Sequence, residues 1–490
     1  MYWLGIDVGT GSTRALLVDP DGRVRSSSTA AHEPVRMARP SWAEQRPDDW
    51  WDAARGAIRD VIGESGVPGA EIRGVGLSGQ MHGLVMLDAA GAVIRDALIW
   101  CDQRSQRQVD AINQAAGRER ILDWTANPML TGFTLPKLLW VRDNDAASYA
   151  RLRTVLLPKD YVRFRMTGER ATDVTDASGT GLFDVAHRRW AVDLARVLDV
   201  DPAVLPRAVE SDALTGQVSA AAARATGLRE GTPVVGGAGD QAASAIGSGI
   251  VGPGIVSCTL GTSGVVFAHL VSPRYDPKGR VHTFCHAAEG AWHVMGVTQA
   301  AGLSLQWFRK TLAPGASYDE LTAEAASAAP GSGGLYWLPY LMGERTPHLD
   351  PEARGGWFGL TARHTRADLI RSLLEGVCYS QKDGLDLIEG LGVQVAKVRL
   401  SGGGARSPFW RQMLADVFGK PVAVLETEEG SAYGAALLAM AGTGDLGSVE
   451  EISGRLVRET AISEPEPAAA GLYSRGHAVY QSYSGTVTSL

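Results

Sequence analysis

The sequence predicts an α/β protein built from two similar domains, and three observations support this class. The chain has 490 residues, whereas a single hydrophobic core rarely grows past about 250–300 residues. Strand-like and helix-like segments alternate along the chain, which is typical of α/β proteins. A glycine-rich hairpin opens each half, at Gly9–Ser12 and at Gly261–Gly264. The matching hairpins indicate an internal duplication.

The first half is predicted to begin with a β-hairpin whose strands are Tyr2–Asp7 and Arg14–Val18. A helix is expected to begin at Pro47, because proline and acidic residues occupy its first turn. The other predicted elements of this half are a strand Gly74–Leu77 with its expected partner Leu84–Leu87, helices within 103–165, a strand Val234–Gly237 and a helix from about Gln241.

The second half repeats the hairpin with the strands Ile255–Leu260 and Val265–Ala268. We place the domain boundary so that the domains are 1–245 and 246–490, and the last helix, 473–483, could pack back on the first domain. The remaining predicted elements are the strand Val398–Leu400, the helix Phe409–Phe418, the strand Val422–Val424, the helix Gly430–Met440 and the terminal helix Tyr473–Tyr483.

The composition argues against several classes of partner. The net charge of −7 and pI of about 5.9 do not resemble the basic footprint of a nucleic-acid binder. The basic stretch Arg151–Arg170 also carries Asp160 and Glu169, so we expect a solvated surface there. No apolar run approaches the ~20 residues that span a bilayer. Asp7 interrupts the apolar N-terminal run, which argues against a signal peptide. The four cysteines are widely spaced, which favours reduced thiols in a cytoplasmic protein over disulfides.

Three glycine-rich turns are candidate phosphate-binding loops: Gly9–Ser12, Gly261–Gly264 and Gly402–Gly404. Backbone N–H groups approach phosphate closely where glycine removes the side chain, although glycine also marks ordinary turns. None of the three is a Walker A motif or a Rossmann fingerprint. Asp7 favours the phosphate interpretation, because a carboxylate at the end of an apolar strand needs a charged partner. A hydrated Mg²⁺ on phosphates would supply that partner.

The order of these motifs resembles the FGGY family of carbohydrate kinases. Residues 7–14, Asp-Val-Gly-Thr-Gly-Ser-Thr-Arg, are similar to the family's first phosphate motif, and Leu260–Ser263 to its second. Gly402–Ser407 resembles the adenosine motif, and Gly302–Trp307 a nucleotide-contacting helix. The resemblance covers nearly the whole chain with the motifs in order.

The resemblance implies an actin-like ATPase (ribonuclease H-like) fold, with a mixed β-sheet flanked by helices in each domain and a central cleft. It implies ATP and Mg²⁺ as the cofactors, with Asp7 holding the metal through water. The nucleotide-binding residues that it implies are Thr10, Gly11, Ser12, Arg14, Gly261, Thr262, Gly302, Gln306, Gly403 and Gly404.

Asp240 is the candidate catalytic residue. It stands at a predicted strand-to-helix junction among small residues, where an aspartate could also serve as a helix N-cap. A kinase acting on an alcohol uses a group that accepts the hydroxyl proton. Gly239-Asp240-Gln241 matches the family's catalytic motif, and this resemblance implies the role of general base.

The segment Gln80-Met81-His82-Gly83 carries the prediction of the sugar. It is similar to the family members that phosphorylate xylulose, whereas glycerol kinases carry Arg-Glu at the positions of Met81 and His82. The resemblance implies that Met81, His82 and Gln241 face the sugar; a structural role for His82 is the alternative. Trp100 and Asp102 would lie near the substrate. The alternatives are that Trp100 packs in the core and that Asp102 belongs to a surface turn.

The predicted reaction is ATP-dependent phosphorylation of D-xylulose to D-xylulose 5-phosphate. Another ketose or polyol, such as ribulose, 1-deoxy-xylulose or glycerol, is the alternative substrate. An actin-fold ATP-binding protein without kinase activity is the alternative class. Pro408 stands where some relatives carry a polar residue that meets the adenine, which leaves the base preference open. The expected partners are small molecules, without nucleic acid or membrane, and a homodimer stays open.

Overall fold

A computed structural model describes residues 1–427 and 429–487. Two seven-stranded mixed sheets form its framework, the first from residues 2–239 and the second from residues 254–463. Helices flank both sheets, so the predicted α/β class with two similar domains is confirmed.

The strands are numbered in chain order. Those of the first half are β1 Tyr2–Val8, β2 Ser12–Val18, β3 Val24–Ala31, β4 Glu44–Gln45, β5 Ile72–Gly79, β6 Val85–Leu87, β7 Ala97–Leu98, β8 Thr154–Leu156, β9 Ala171–Asp173, β10 Phe183–Asp184, β11 Arg189–Trp190, β12 Arg207–Val209, β13 Leu214–Gln217, β14 Pro233–Val235 and β15 Ala238–Gly239. Those of the second half are β16 Gly254–Leu260, β17 Gly264–Leu270, β18 His282–Cys285, β19 Trp292–Thr298, β20 Tyr336–Leu338, β21 Gly356–Phe358, β22 Val395–Ser401, β23 Val422–Leu425 and β24 Glu459–Ser463.

The helices are numbered in the same way. Those of the first half are α1 Pro47–Ser65, α2 Gln106–Ala116, α3 Arg118–Thr125, α4 Thr134–Asn144, α5 Ala146–Arg151, α6 Pro158–Thr167, α7 Val174–Ser178, α8 Val192–Val197, α9 Ala220–Thr226 and α10 Asp240–Gly247. Those of the second half are α11 Gly302–Leu312, α12 Tyr318–Ser327, α13 Arg366–Gly390, α14 Pro408–Phe418, α15 Gly430–Gly442, α16 Val449–Leu456 and α17 Pro467–Val487. Short 3₁₀ turns lie at Gly69–Glu71, Pro202–Val204, Ser332–Gly334 and Gly403–Arg406.

Both sheets are built around an opening hairpin. In the first, β1 pairs antiparallel with β2 and parallel with β5; in the second, β16 pairs antiparallel with β17 and parallel with β22. The full orders are β13-β14-β5-β1-β2-β3, with β15 also on β5, and β18-β19-β17-β16-β22-β23-β24. This repeated topology supports the duplication predicted from the hairpins.

Helix α15 comes from the second half of the chain but packs on the first sheet. It contacts β1, β5 and α10 extensively. A Cβ added at Gly5 of β1 would lie 1.9 Å from the Ala432 carbonyl oxygen, and one at Gly76 of β5 the same distance from that of Ala435. Glycine is therefore required where the helix meets the strands. We keep 245/246 as the proposed domain boundary, because the strands of the first sheet end before it and those of the second sheet begin after it. Helix α15 belongs to the second half of the chain but packs on the first sheet.

Two predictions about local structure are wrong, and a third stays open. Val85–Leu87 pairs with β8 instead of β5, because β5 already has strands on both of its edges. The last helix packs on α13, α14 and β20, with the Tyr480 and Tyr340 hydroxyls 3.1 Å apart, and its packing back on the first domain stays a prediction. The basic stretch 151–170 is not simply a solvated surface, since Lys159, Asp160 and Arg163 are fully buried.

The structure also bears on the predictions about membrane spans and cysteines. Of the helices in residues 1–427 and 429–487, none combines the length and apolar character needed to cross a bilayer. All four cysteines are unpaired thiols, and three of them are buried, as the sequence predicts.

Replacing Gly434 of α15 by alanine should destabilise the first domain. Its Cβ would lie 1.8 Å from the Ala243 carbonyl oxygen of α10 and 3.0 Å from the Gly247 nitrogen, so the two helix backbones must separate. Overpacking of this kind costs about 1–3 kcal/mol, and we expect the melting temperature to fall by about 2–8 °C. Circular dichroism or scanning calorimetry measures the shift.

Gly56→Ala is the matched control. Gly56 lies inside α1, and beyond its chain neighbours and its own helix backbone no atom lies within 4 Å of its added Cβ; alanine favours a helix by about 1 kcal/mol over glycine. Its melting temperature should stay equal or rise. An equal fall in both variants would show that close packing of α10 and α15 is not the cause.

Candidate active site

Two aspartates meet at the end of β5. In the sheet register, Asp7 of β1 pairs with Ser78 on one side of β5, and Ala238 of β15 pairs with the same Ser78 on the other side. Helix α10 begins two residues after Ala238, with Asp240. The strand register therefore places Asp7 and Asp240 on either side of one strand end.

The two carboxylates raise the energy of each other's charged form. Burial raises the pKa of Asp7 to about 6, against the lowering effect of the Ser78 hydroxyl and the Arg14 charge. Burial and then the nearby Asp7 charge raise the pKa of Asp240 to about 7. Asp7 Oδ1 is buried and has no hydrogen-bond partner in the part of the chain that the structure describes. The pair therefore forms an electronegative site that favours a cation or a proton.

Asp240 is not the N-cap of α10. The N-cap is Gly239, and Asp240 is the first helical residue. Its Oδ1 accepts the backbone N–H of Gln241 at 2.7 Å, and its carbonyl oxygen accepts the Ser431 hydroxyl at 3.1 Å. One carboxylate oxygen thus fixes the side chain against the first helical turn.

Met81 and His82 lie beside Asp240 because two glycines make room for them. A Cβ at Gly239 would come within 2.8 Å of Met81 Cγ, and one at Gly179 within 2.6 Å of His82 Nδ1. Met81 and His82, which are predicted to face the sugar, and Asp240, the predicted base, therefore share one corner of the first domain.

His82 is neutral with a defined tautomer. Burial lowers its pKa to about 3, and Nδ1 lies 2.6 Å from the Gly179 carbonyl oxygen, to which it donates. Nε2 is consequently the nitrogen with a free lone pair, able to accept a hydrogen bond. The backbone of His82 has φ of +68°, and its carbonyl oxygen accepts the buried Lys137 ammonium at 3.0 Å. Sequence reasoning missed Lys137, whose pKa burial lowers to about 7.

Trp100 covers the first glycine loop. Its indole Nε1 donates to Thr10 Oγ1 at 2.9 Å, and the residue is 39% exposed, so it is not a core residue. Within the loop, the Gly9 N–H donates to the Ser12 carbonyl oxygen at 3.0 Å, and Gly11 accepts the His32 N–H at the same distance.

Two buried glutamines, neither of which was predicted as a site residue, hold this loop from behind. Gln45 Nε2 donates to the Thr10 carbonyl oxygen at 2.7 Å, and Gln80 Nε2 donates to Gln45 Oε1 at 2.9 Å and to the Gly9 carbonyl oxygen at 3.2 Å. Gln80 belongs to the Gln-Met-His-Gly run, but no local pattern marks Gln45.

Arg14 and Asp102 have protein partners. Arg14 Nη2 forms an ion pair with Glu429 Oε2 at 2.5 Å, just before α15. Asp102 is fully buried; it pairs with Arg104 at 2.6 Å and accepts the Ala43 N–H at 2.6 Å. Asp102 is therefore not in a surface turn. Because its carboxylate is already bonded inside the protein, the structure does not favour the direct sugar contact that the sequence predicted.

The predicted nucleotide-binding residues of the second half line one cavity of about 680 Å³. They are Gly261, Thr262, Gly302, Gln306, Gly403 and Gly404. Gly302 lies close to the loop, since a Cβ there would meet the Gly261 carbonyl oxygen at 2.6 Å. The start of α12 also contributes. It was not predicted from the sequence, although the Ser317–Glu320 capping box marks a helix start. Its lining residues are Ser317, Tyr318, Asp319 and Thr322.

Comparison with known proteins identifies the family of the chain. The N-terminal domain of the FGGY family of carbohydrate kinases matches residues 2–247, and its C-terminal domain matches residues 256–443. The chain is 39% identical to a xylulose kinase of Bacillus subtilis over 465 residues, covering 95% of this chain and 93% of that protein.

Solved structures agree over the whole chain. A xylulose kinase from Rhodospirillum rubrum superposes with a TM-score of 0.93 at 32% identity, covering 99% of both chains. A gluconate kinase from Lactobacillus acidophilus gives a TM-score of 0.94 at 25% identity, covering 99% of this chain and 98% of that one. These neighbours confirm the predicted actin-like ATPase fold and the prediction of a sugar kinase that uses ATP. The chain belongs to the FGGY family of carbohydrate kinases.

Proposed function

We propose that the protein transfers the γ-phosphoryl group of ATP to the C5 hydroxyl of D-xylulose, giving D-xylulose 5-phosphate and ADP. The observation that carries this proposal is the contact of Met81 with Gly239, which sets Asp240 beside the Met81–His82 pair. The xylulose kinases among the relatives support the choice of sugar.

Asp240 is the proposed general base. Its pKa of about 7 suits a group that must be unprotonated in the resting enzyme yet accept a proton as the hydroxyl oxygen attacks. That proton moves from the sugar hydroxyl to the Asp240 carboxylate while the oxygen forms its bond to the γ-phosphorus and the bond to ADP breaks. The helical first turn that holds Oδ1 keeps the base oriented.

The sugar is proposed to lie against Met81, His82, Gln241 and Trp100. His82 Nε2 would accept a hydroxyl hydrogen bond, because Nδ1 already donates to the Gly179 carbonyl oxygen. The exposed indole ring of Trp100 offers an apolar surface for the carbon face of the sugar. Asp102 is left out of this set and holds Arg104 instead.

Mg²⁺ fits the environment of Asp7. Its Oδ1 is buried without a hydrogen-bond partner among the described residues, and the same residues contain no cluster of three or more His, Cys, Asp or Glu side chains that could hold a metal. A cation held mainly by phosphates and waters suits a site with one or two carboxylates. Bound there through water, it would neutralise charge on the transferred phosphoryl group.

The nucleotide is proposed to bind between the two glycine hairpins. Thr10, Gly11, Ser12, Gly261 and Thr262 would hold phosphates through their N–H and hydroxyl groups. The nucleoside would occupy the cavity lined by Gly302, Gln306, Gly403 and Gly404, whose volume of about 680 Å³ lies in the usual range for such ligands. Arg14 would reach phosphate only by sharing its charge with Glu429.

The cellular setting follows from the reaction. We propose that the protein acts in the cytoplasm, where ATP is available, and its unpaired cysteines agree with a reducing compartment. Sugar and nucleotide are the proposed partners, and the state of association stays a prediction.

A sugar panel tests the substrate. With ADP release coupled to a reporter, kcat/KM for D-xylulose should exceed that for ribulose, 1-deoxy-xylulose, glycerol and gluconate by at least about tenfold, since one unmatched buried hydrogen-bonding group costs about that factor. Equal rates on glycerol or gluconate would reject the proposed sugar while leaving the kinase assignment intact.

Asp240→Asn should lower kcat by about 10²–10⁴-fold while the dissociation constants for sugar and ATP change little, because the amide keeps the shape but cannot take the proton. Calorimetry measures binding, and rapid quench measures turnover. The pH profile of the unmutated enzyme is the second measurement: kcat/KM should fall below a pKa near 7, as Asp240 becomes protonated, and be flat above it. Near-normal turnover of the variant would contradict the proposed base.

His82→Asn should raise KM for D-xylulose by about tenfold and leave KM for ATP nearly unchanged. Asparagine tolerates positive φ, but its shorter side chain removes the Nε2 acceptor, and one lost hydrogen bond costs about 1.4 kcal/mol. Initial-rate kinetics with each substrate varied give both constants. A parallel rise of both KM values would indicate a general disturbance of the fold.

A further inference from the structure

A buried network of charges lies behind the proposed base. Lys159 Nζ is 2.7 Å from Asp160 Oδ1, 2.8 Å from Asp173 Oδ1 and 3.0 Å from Asp176 Oδ2, and all of these side chains are fully buried. Arg163 adds a second cation, 3.4 Å from Asp160. Buried ion pairs often contribute little net stability, because desolvation offsets their attraction. The geometry of this network is more informative than its stability, because it shows which groups the network holds in place.

Asp173 connects this network to α7. Its Oδ2 accepts the Thr175 N–H at 2.8 Å, the Thr175 hydroxyl at 2.5 Å and the Ser211 hydroxyl at 3.1 Å. Lys159 holds the other oxygen. The carboxylate is therefore fixed by four groups and can itself fix Thr175.

The Thr175 hydroxyl has one possible orientation. It must donate its proton to Asp173 Oδ2, which already accepts two other donors and offers no proton in return. The oxygen lone pair is then free to accept, and the backbone N–H of Gly239 donates to it at 2.9 Å. The hydrogen bonds thus run in one direction from Gly239 through Thr175 to Asp173, and Lys159 contacts the other Asp173 oxygen as an ion pair.

Gly239 is the residue whose position most directly sets Asp240. It is the N-cap of α10, and it ends the run Gly236-Gly237-Ala238-Gly239, which has few side-chain atoms of its own to hold it. The backbone N–H of Gly237 is held separately by the Ser211 carbonyl oxygen at 2.8 Å. A glycine chain loses the most conformational freedom on ordering, so bonds from outside the run must fix it.

We propose that Thr175, held by Asp173 and Lys159, is a positioning residue that fixes the Gly239 backbone and thereby aims the Asp240 carboxylate at the sugar hydroxyl. This inference rests on the proposed role of Asp240 as base. A displacement of about 1 Å in a catalytic group can cost about 10²-fold in rate. The effect of Thr175 should consequently appear in kcat.

Thr175→Val tests the proposal, because valine keeps the shape and removes the hydroxyl. We expect kcat to fall by about 10–100-fold, with KM for sugar and ATP changed less than about twofold. Thr175→Ser restores the hydroxyl and should recover kcat to within about threefold. Thr226→Val is the matched control: Thr226 is also a buried threonine of the first domain, and its hydroxyl bonds to the Ala222 carbonyl oxygen at 2.7 Å outside the site. Its kcat should stay at the unmutated value.

A double-mutant cycle shows whether the effect passes through Asp240. In the Asp240→Asn background, Thr175→Val should lower the residual kcat by less than about threefold, since the base is already absent. An equal factor in both backgrounds, or a normal kcat in Thr175→Val alone, would overturn the proposal. If Thr175→Val does not fold, Thr175→Ala is judged by the same criteria.

The cycle is run with whichever sugar of the panel gives the highest rate, so a wrong choice of D-xylulose does not affect it. A normal kcat in Asp240→Asn alone would reject the proposed base, and that result is separate from any result on Thr175.

Discussion

The site depends on the burial of two like charges at one end of a β-sheet. Asp7 and Asp240 flank Ser78 because β1 and β15 both pair with β5, and this strand register fixes the position of both backbones. Each carboxylate raises the free energy of the other's ionised form, and burial strengthens the repulsion. Burial, and then this repulsion, raise the pKa of Asp240 to about 7, and the pair leaves a negative site that a cation on phosphates would stabilise.

Such a site is costly, and the surrounding packing holds it in place. Helices α10 and α15 approach each other and the strands so closely that only glycine fits at Gly5, Gly76 and Gly434. Helix α15 belongs to the second half of the chain, and Glu429 just before it neutralises Arg14 of β2. The first domain's site is therefore completed by residues far along the sequence, which ties its integrity to the folding of both halves.

Local chemistry made much of the fold and site predictable. The two hairpins follow from apolar strands around glycine turns, and Asp7 and Asp240 stand out as carboxylates at strand ends. The segment Met81–His82 is distinctive through its resemblance to family members, and the structure then explains its placement through Gly179 and Gly239.

The features that sequence reasoning missed depend on long-range pairing. The partner of β6 is β8, some 70 residues away, and hydrophobic pattern alone does not choose among distant strands. Arg14 and Asp102 are motif residues, but their partners Glu429 and Ala43 could not be read from spacing. Lys159 looks like an ordinary surface lysine in a charged stretch until Asp160, Asp173 and Asp176 surround it.

The most direct test of the account is a crystal structure with D-xylulose and a non-hydrolysable ATP analogue bound together. The account predicts an Asp240 carboxylate oxygen within about 3 Å of the C5 hydroxyl oxygen, with the γ-phosphate on the far side of that oxygen and the bound cation nearest Asp7. A sugar bound away from Met81 and His82, or an Asp240 turned wholly onto the amides of α10, would contradict it.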